Sequence, residues 1–587
     1  MEILSRCGSG TRQQIQWVAT GGRALLLAAL LHSLLALEVT VQPAEVRAGD
    51  LVTWRIAGVP ARWLQDEVAR TPRLRVQGPD GRTWERPCYL DQAWRPGGAG
   101  ESEFVALGPV QLAARHSPRQ PGPHAWQLSD PEGRELAAGT LHVQPGTRPP
   151  GPLRISPHQR RLLAWADGTP FLAIGCNLAW GTAPDRPASF ARWCQRLSAQ
   201  GATHVRLWLA SWSGKPWDDA GRLRLDQAWL TDRYLELARQ HGLTVTLVLD
   251  NFHDVVQGRG APWGDSSAAR ARAFIEGPPP RWLELVRYCL ARWGADDTIA
   301  CWEPINEIDL VPAEPAAALA WLRRVCAWLA AQDPDQRLIT ASWAGPEWLA
   351  AMRLPEVQVA QVRCYVEEWS DADWRLIEAT RDPLLLLAEA AAELAALDKP
   401  WLLAECGYQG READNRGNEL DREGLLVRQL SWAGLLLGGC GSGHSWWWDS
   451  YLERHDLWSL YGPLVRLAAL LEWRDRELAP LTPNADGALR LYGWTSPSQA
   501  LLWPVHRYDT WYEAVARGRP RPVPRAPVSV VLAGFAPRAA YRVAAYSLRD
   551  GRRGATWTQA ARGDGTLELV IPPGTIDTVF HLLREGP

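Results

Sequence analysis

Between residues 37 and 148 the chain alternates apolar and polar positions in short runs that end at turn residues. In "RLRVQGPDGRTWE", residues 73–85, two such runs flank a Pro-Asp-Gly turn, and another pair meets at "DPEG", residues 130–133. Period-two alternation bounded by Gly, Pro and Asp predicts half-buried strands joined in hairpins. We therefore expect residues 37–148 to form a β-sandwich, ended by a stiff proline-rich connector at 145–152.

From residue 153 to 478 short continuous apolar runs alternate with helix-length amphipathic stretches, such as "PPRWLELVRYCLARWG" at 279–294. Eight of the apolar runs predict buried strands, at residues 171–180, 204–210, 244–254, 299–307, 338–343, 357–365, 400–407 and 439–449. Eight strand–helix units in about 320 residues predict a (β/α)8 TIM barrel. A doubly wound open sheet is the alternative, but no glycine-rich phosphate loop follows the first strand.

Strand patterns return after residue 478, in runs such as "APVSVVLAGF" at 526–535 and "TLELVIPPG" at 566–574. They predict a second β-sandwich at residues 485–587. The expected fold class is therefore α/β, a TIM barrel flanked by an N-terminal and a C-terminal β-sandwich domain.

Residues 1–36 contain the apolar run "ALLLAALLHSLLA" at 24–36, preceded by Arg6, Arg12 and Arg23. The run is shorter than the roughly 20 residues that a membrane helix needs, so we expect no stable membrane span. A basic segment before a short apolar run favours a signal peptide and a secreted or extracytoplasmic protein. A mis-called start or a buried apolar segment is the alternative.

Composition removes several classes of function. A net charge of −2 gives no electrostatic basis for binding nucleic acid. The ten cysteines show no CxxC pair or Cys/His spacing, so we expect buried free thiols, no metal and no cofactor. The 34 tryptophans are unusual; core packing accounts for most of them, and those near strand ends are candidates for stacking on sugar rings.

The predicted strands are apolar inside and polar at their C-terminal ends, where barrel enzymes place their functional side chains. The polar residues at these ends are Asn177, Arg206, His253, Asn306, Glu307, Tyr365 and Glu405. One strand-end carboxylate is often only half of a salt bridge. Two, on the fourth and seventh strands, suit cleavage of a glycosidic bond, because one acid must protonate the leaving oxygen while the other attacks or activates water.

These residues carry a resemblance to a known group of enzymes. "WEPINE", with Asn306 and Glu307, resembles the fourth-strand motif of clan A glycoside hydrolases, especially the cellulase-like enzymes of glycoside hydrolase family five. "PWLLAECG" resembles their seventh-strand nucleophile motif at Glu405. Further matches are Arg206 in "HVRLWL", His253 in "LVLDNFHD", Tyr365 in "QVRCY" and a tryptophan of "SWWWD". Strand alternation places Trp446 and Trp448 on one face, and Trp448 is the favoured candidate of the two. Arg363 stands where the family usually has histidine.

The resemblance implies a retaining mechanism on a β-linked glycan of the β-mannan or β-glucan type. Glu307 would be the acid/base and Glu405 the nucleophile, with Asn306 on the sugar 2-hydroxyl and Arg206 and Tyr365 orienting Glu405. It also implies that the N-terminal domain is immunoglobulin-like. Trp208, Trp212 and Trp217 cluster after the second strand and are the candidates for a sugar-stacking wall. Glu303 is expected to make a structural ion pair.

Two other classes of function remain to be distinguished. A non-catalytic sugar-binding barrel would not need both glutamates, and a transglycosylase would use the same site with a sugar in place of water. A metallohydrolase is disfavoured, because no H-x-H or H-E-x-x-H ligand spacing is present.

Overall fold

The computed structural model describes residues 37–586, apart from 66, 99–100, 147–150, 264–265, 367–380, 411–415 and 482–486. The predicted signal peptide and half of the 145–152 connector, residues 147–150, lie outside the described residues. The described chain is of the α/β class, with antiparallel sheets at both ends and parallel strand pairing with helices between them.

The N-terminal region consists of two sheets that share one apolar cluster. In chain order its strands are β1 (Glu38–Gln42), β2 (Val46–Arg47), β3 (Val52–Ala57), β4 (Arg73–Gln77), β5 (Thr83–Pro87), β6 (Tyr89–Asp91), β7 (Trp94–Pro96), β8 (Phe104–Ala106), β9 (Gln111–His116), β10 (Gly122–Ser129) and β11 (Glu135–Gln144). The sheet orders are β1-β3-β9-β6 and β2-β11-β10-β4-β5, beside a separate β7–β8 hairpin.

The hairpins predicted at the two turns are present as β4–β5 and β10–β11. In β4 the alternation places Leu74 and Val76 in the core and leaves Arg73 and Arg75 exposed. The pattern of the sequence therefore decides which face of this sheet is buried.

The central strands that follow are short. They are β12 (Arg154–Ile155), β13 (Leu163–Ala164), β14 (Pro170–Phe171), β15 (Gly175–Asn177), β16 (His204–Trp208), β17 (Thr244–Val248), β18 (Ile299–Glu303), β19 (Leu338–Ile339), β20 (Ala360–Val366) and β21 (Trp401–Tyr408).

Parallel pairing joins β15 through β19 in chain order, and β20 to β21. Isolated parallel bridges also connect Thr340 with Val359, Cys406 with Ser445, and Gly441 with Ala173. The last predicted strand run, 439–449, therefore bridges both the seventh strand and the segment that leads into the first. Because neighbouring strands from β15 to β19 run parallel, their C-terminal ends lie at the same edge of that sheet, and the same holds for β20 and β21.

Amphipathic helices lie between the central strands. They are α1 (Arg186–Ala199), α2 (Leu225–Gln240), α3 (Phe252–Gln257), α4 (Ser267–Glu276), α5 (Pro280–Trp293), α6 (Pro315–Gln332), α7 (Trp348–Met352), α8 (Pro383–Ala395), α9 (Arg416–Leu420), α10 (Leu425–Leu436) and α11 (Tyr461–Ala468). In α5, Pro280 occupies the first turn and Trp282, Leu285, Cys289 and Trp293 form the buried stripe. This spacing of three and four residues is that of one helix face.

Short helical segments of other types also occur. The 3₁₀ turns are Ala61–Trp63, Val68–Arg70, Ile308–Leu310 and Leu457–Leu460, and the π-helical turns are Trp448–Leu452 and Tyr512–Ala516.

The C-terminal strands are β22 (Ala479–Pro480), β23 (Leu489–Thr495), β24 (Gln499–His506), β25 (Val528–Leu532), β26 (Ala540–Ser547), β27 (Arg553–Ala560), β28 (Leu567–Ile571) and β29 (Thr578–Arg584). Six form a sheet in the order β22-β23-β24-β29-β26-β27, and β25 pairs with β28. Residues of both sheets, including Leu502, Val543 and Leu569, share one apolar cluster.

Buried ion pairs attach the N-terminal sheets to the central region. Arg292 of α5 is fully buried and contacts Asp91 at 2.8 Å and Asp232 at 2.5 Å. Arg86 contacts Asp335 at 2.7 Å. Breaking a buried pair costs about 3–5 kcal/mol, so these contacts hold the two regions in one arrangement.

The nine cysteines of the described residues are free and buried, which confirms the expectation of free thiols. No helix among the described residues has the length and apolar content that crossing a bilayer requires.

Candidate active site

Asn306 and Glu307 follow the fourth strand in a segment of irregular backbone. After β18 stops at Glu303, the backbone N–H of Asn306 donates to the carbonyl of Asp250 (2.9 Å), and Phe252 N–H donates to the carbonyl of Asn306 (3.2 Å). The chain thus stays attached to the end of the third strand. Glu307 then adopts a left-handed backbone, with φ 52° and ψ 55°. That conformation costs a non-glycine residue about 1–3 kcal/mol and is concentrated at functional sites.

The seventh strand presents Glu405, which is 1% exposed. Its Oε1 accepts from Arg206 Nη1 at 2.6 Å, and its Oε2 accepts from the Tyr365 hydroxyl at 2.8 Å. Burial raises the pKa of Tyr365, so the phenol stays protonated and remains a donor. Each oxygen of the Glu405 carboxylate therefore accepts a hydrogen bond, one from Arg206 and the other from Tyr365.

Arg206 forms the base of the site and is also 1% exposed. It binds Glu303 through two hydrogen bonds, of 2.5 and 2.8 Å, and donates to Asn306 Oδ1 at 2.9 Å. Gln361 adds a 2.9 Å bond to Glu303. Glu303 is thus the structural partner that the sequence indicated, and it keeps the cation fixed beneath Glu405.

Asn306 connects this base to the other acid. Its Oδ1 accepts from Arg206 and from the Ser342 hydroxyl at 3.0 Å, while its Nδ2 donates to Glu307 Oε2 at 2.9 Å. The amide orientation is therefore fixed, with the nitrogen toward Glu307.

Arg363 lies between the two candidate catalytic acids. Its Nη1 contacts Glu307 and its Nη2 contacts Glu405, and its side chain is 14% exposed. Two hydrogen bonds of ordinary length plus the width of one guanidinium limit the separation of the contacting carboxylate oxygens to about 8 Å. This limit is compatible with the about 5–5.5 Å of retaining glycosidases and with part of the inverting range.

The eighth-strand tryptophans differ from the expectation. Trp448 is 1% exposed, and its ring is surrounded by Trp180 at 5.1 Å, Trp446 at 5.4 Å and Trp193 at 6.4 Å. A π-helical turn begins at Trp448, so strand alternation no longer applies there. Trp446 and Trp447 keep part of their surface exposed, and either ring is better placed than Trp448 to meet a sugar.

Trp208 is likewise covered. It is 4% exposed, its ring lies 4.9 Å from that of Trp446, and the Arg206 guanidinium lies 5.1 Å from its centroid. This side chain therefore supports Arg206 and Trp446 from below and presents little face for stacking on a sugar.

His253 is not part of the hydrogen-bonded network among the described residues. The third strand ends at Val248, and Asn251 caps α3 by accepting the N–H of Asp254 at 3.0 Å. His253 consequently lies in the first helical turn, is exposed, and packs its ring on Phe252 at 3.8 Å. The predicted strand, residues 244–254, was too long, because β17 ends at Val248 and α3 begins at Phe252.

Lys215 was missed by the sequence analysis. It is buried and donates to Asp250 at 2.8 Å and to Asp254 at 3.1 Å. Burial lowers its pKa, but the two carboxylates more than offset this effect and the pKa is raised. The group stabilises the end of the third strand, to which Asn306 is attached. The available signal was that Lys215 is one of only two lysines in the chain.

Metal ligands are not grouped in the described part of the chain: it contains no set of three or more His, Cys, Asp or Glu that could hold a metal ion.

Comparisons with known proteins give likeness in fold. No family model matches the chain, and no curated protein matches it. A solved structure described as a putative glycoside hydrolase from Bacteroides vulgatus is 13% identical, with a TM-score of 0.62 over 92% of this chain and all of the other. A glycoside hydrolase family 5 structure from the same organism is also 13% identical, with a TM-score of 0.52 over 74% of this chain and 93% of the other. At the level of fold, the chain resembles the family that its motifs indicated.

Proposed function

We propose that this protein is a retaining glycoside hydrolase that cleaves a β-glycosidic bond. The observation that carries the proposal is the contact of Glu307 and Glu405 with one guanidinium, because two acids from the fourth and seventh strands then face the same small space. The fold of the two Bacteroides structures supports the same assignment.

The proposed architecture is a closed (β/α)8 barrel at residues 153–478, flanked by β-sandwich domains at 37–148, immunoglobulin-like, and 485–587. The bridges that connect residues 439–449 to the first and seventh segments support closure. Residues 1–36 are proposed to direct export.

In the first proposed step, Glu405 attacks the anomeric carbon while the carbon–oxygen bond to the leaving group breaks and Glu307 protonates the departing oxygen. The product is a glycosyl ester on Glu405. In the second step Glu307, now ionised, takes a proton from water, and the water oxygen attacks the anomeric carbon and releases Glu405. Arg206 and Tyr365 hold the nucleophile, and Asn306 binds the 2-hydroxyl.

The substrate proposed from the family resemblance is a β-glucan or β-mannan type glycan or glycoside. Purified protein would be tested on aryl β-D-glucosides and β-D-mannosides, on the corresponding polysaccharides, and with EDTA, which should leave the rate unchanged. Glu405→Gln should reduce every turnover rate by about 10⁴-fold or more, as removal of a covalent nucleophile does. Sugar binding by this variant should persist.

Three results would contradict the proposal in different ways. Turnover that survives in Glu405→Gln would remove the nucleophile assignment. Binding of sugars without turnover in the unaltered protein would favour a sugar-binding barrel. Transfer to an added sugar acceptor in preference to water would favour a transglycosylase. The configuration of the first product, read by NMR, separates retention from inversion.

A further inference from the structure

We propose, resting on the function above, that Arg363 makes the site selective for β-glycosides whose reacting ring carries a carboxylate, that is, for uronides. The feature that points to this class of substrate is the position of the Arg363 guanidinium. It contacts both Glu307 and Glu405, the two groups between which the reacting atoms must lie.

The guanidinium and the sugar cannot use the same space. Glu405 Oε1 accepts from Arg206, which is bound on all sides, so Oε2 is the oxygen that can attack. Oε2 accepts from Tyr365 and also contacts Arg363. A ring whose anomeric carbon approaches Oε2, and whose leaving oxygen reaches Glu307, must therefore displace the guanidinium from both acids.

The displaced cation then needs a new partner. Arg363 is only 14% exposed, and its Nε is buried without a hydrogen-bond partner. In the described residues the acids that contact it are the two it would leave. A buried cation without a counter-ion is costly. A neutral hydroxymethyl group cannot replace those acids, whereas a ring carboxylate can accept two parallel bonds from the guanidinium.

The change also favours the protonation state that catalysis needs. A guanidinium against Glu307 stabilises its ionised form, which cannot donate a proton. When Arg363 moves to a substrate carboxylate, that stabilisation is lost. The incoming negative charge further favours protonated Glu307. A uronide would therefore convert Glu307 from a paired anion to a general acid as it binds.

The test compares matched substrates with one leaving group: aryl β-D-glucuronide with β-D-glucoside, and β-D-mannuronide with β-D-mannoside. We expect kcat/KM at least tenfold higher for the uronide of one pair. Arg363→Gln and Arg363→His should each lower that uronide-to-neutral ratio at least tenfold. Arg323→Gln removes an exposed arginine of α6 that pairs with Glu356, and it should leave the ratio unchanged. Thermal unfolding would verify that the variants fold.

Several outcomes would overturn the inference: a faster neutral glycoside in both pairs, or a ratio that the Arg363 variants do not change. Binding of glucuronate and glucose, measured by calorimetry, separates this failure from failure of the proposed function. Arg363-dependent preference for glucuronate without any hydrolysis would reject the hydrolase and keep the acid selectivity. Hydrolysis of neutral glycosides alone would keep the hydrolase and reject the selectivity.

Discussion

Two arginines occupy the floor and the rim of the same site, and they differ in how fully they are bound. Arg206 of β16, with Glu303, Asn177 and His444 around it, forms what we call the floor; it reaches acceptors on Glu303, Asn306 and Glu405. Arg363 of β20, with Glu307 and Tyr365, forms the rim. Among the described residues its guanidinium contacts the carboxylates of Glu307 and Glu405 and lies 5.7 Å from the centroid of the Tyr365 ring, and its Nε is buried without a hydrogen-bond partner. A cation bound on all sides is part of the framework. A cation that pairs with the reacting groups can instead leave them and bind a charged group of the substrate.

The largest expected effect is on kcat/KM, and it distinguishes acid catalysis by Glu307 of the rim from the structural role of Glu303 in the floor. Glu307→Gln should lower kcat/KM by about 10²–10⁴-fold for glycosides with poor leaving groups, because general acid catalysis contributes that much. The loss should be much smaller for dinitrophenyl glycosides, whose leaving group departs without a proton. Glu303→Gln is the control, and it should affect all leaving groups alike. Equal losses in Glu307→Gln across leaving groups would remove the acid assignment.

Stability should distinguish the two arginines directly. Arg206→Gln leaves Glu303 buried without a cation, and removing one partner of such a pair costs about 3–5 kcal/mol. Arg363→Gln should cost about 1–2 kcal/mol, as for an ordinary hydrogen-bonded group, because Glu405 keeps Arg206 and Tyr365. Urea unfolding of both variants measures the difference. Equal losses would show that Arg363 belongs to the framework too.

Trp446 and Trp448 give a similar contrast. Trp448→Ala should lower the free energy of unfolding by about 3–5 kcal/mol, because the ring is buried in a well-packed cluster. Trp446→Ala should cost less stability but reduce kcat/KM about tenfold, the equivalent of one lost ring-stacking contact. The reverse pattern would return the sugar-binding role to Trp448.

A smaller effect should appear in the pH dependence of the free energy of unfolding, through His444 of the floor. Burial lowers the pKa of His444 to about 4, with Arg206 acting in the same direction. Between about pH 6.5 and 4 the unfolded chain binds a proton at this histidine that the folded chain does not bind, so stability falls as the pH falls. The loss from this group between pH 7 and 5 should be about 2 kcal/mol. Urea unfolding of His444→Gln should show a pH dependence weaker by that amount; an unchanged dependence would mean that His444 is protonated in the folded protein.

The sequence was most informative where a residue follows a long apolar run. Asn306, Glu307 and Glu405 were predicted to lie at strand ends. In the structure Asn306 and Glu307 follow the end of β18 at Glu303, Glu405 lies within β21, and Arg206 Nη1 is 2.6 Å from Glu405 Oε1. Their catalytic roles remain predictions. The strand predictions were wrong where the chain leaves the regular period: at His253, which lies in a helix, and at Trp448, where a π-helical turn begins.

By itself the sequence determined the order of strands and helices, the faces that are buried, and the acids that accompany the fourth and seventh strands, because these depend on periodicity and on the cost of burying polar groups along the chain. Only the tertiary structure decided that Arg363 joins Glu307 to Glu405, that Trp208 and Trp448 are covered, and that Lys215 is buried between two aspartates. Those facts depend on distances between residues far apart in the chain, and the pairing register of neighbouring strands sets these distances.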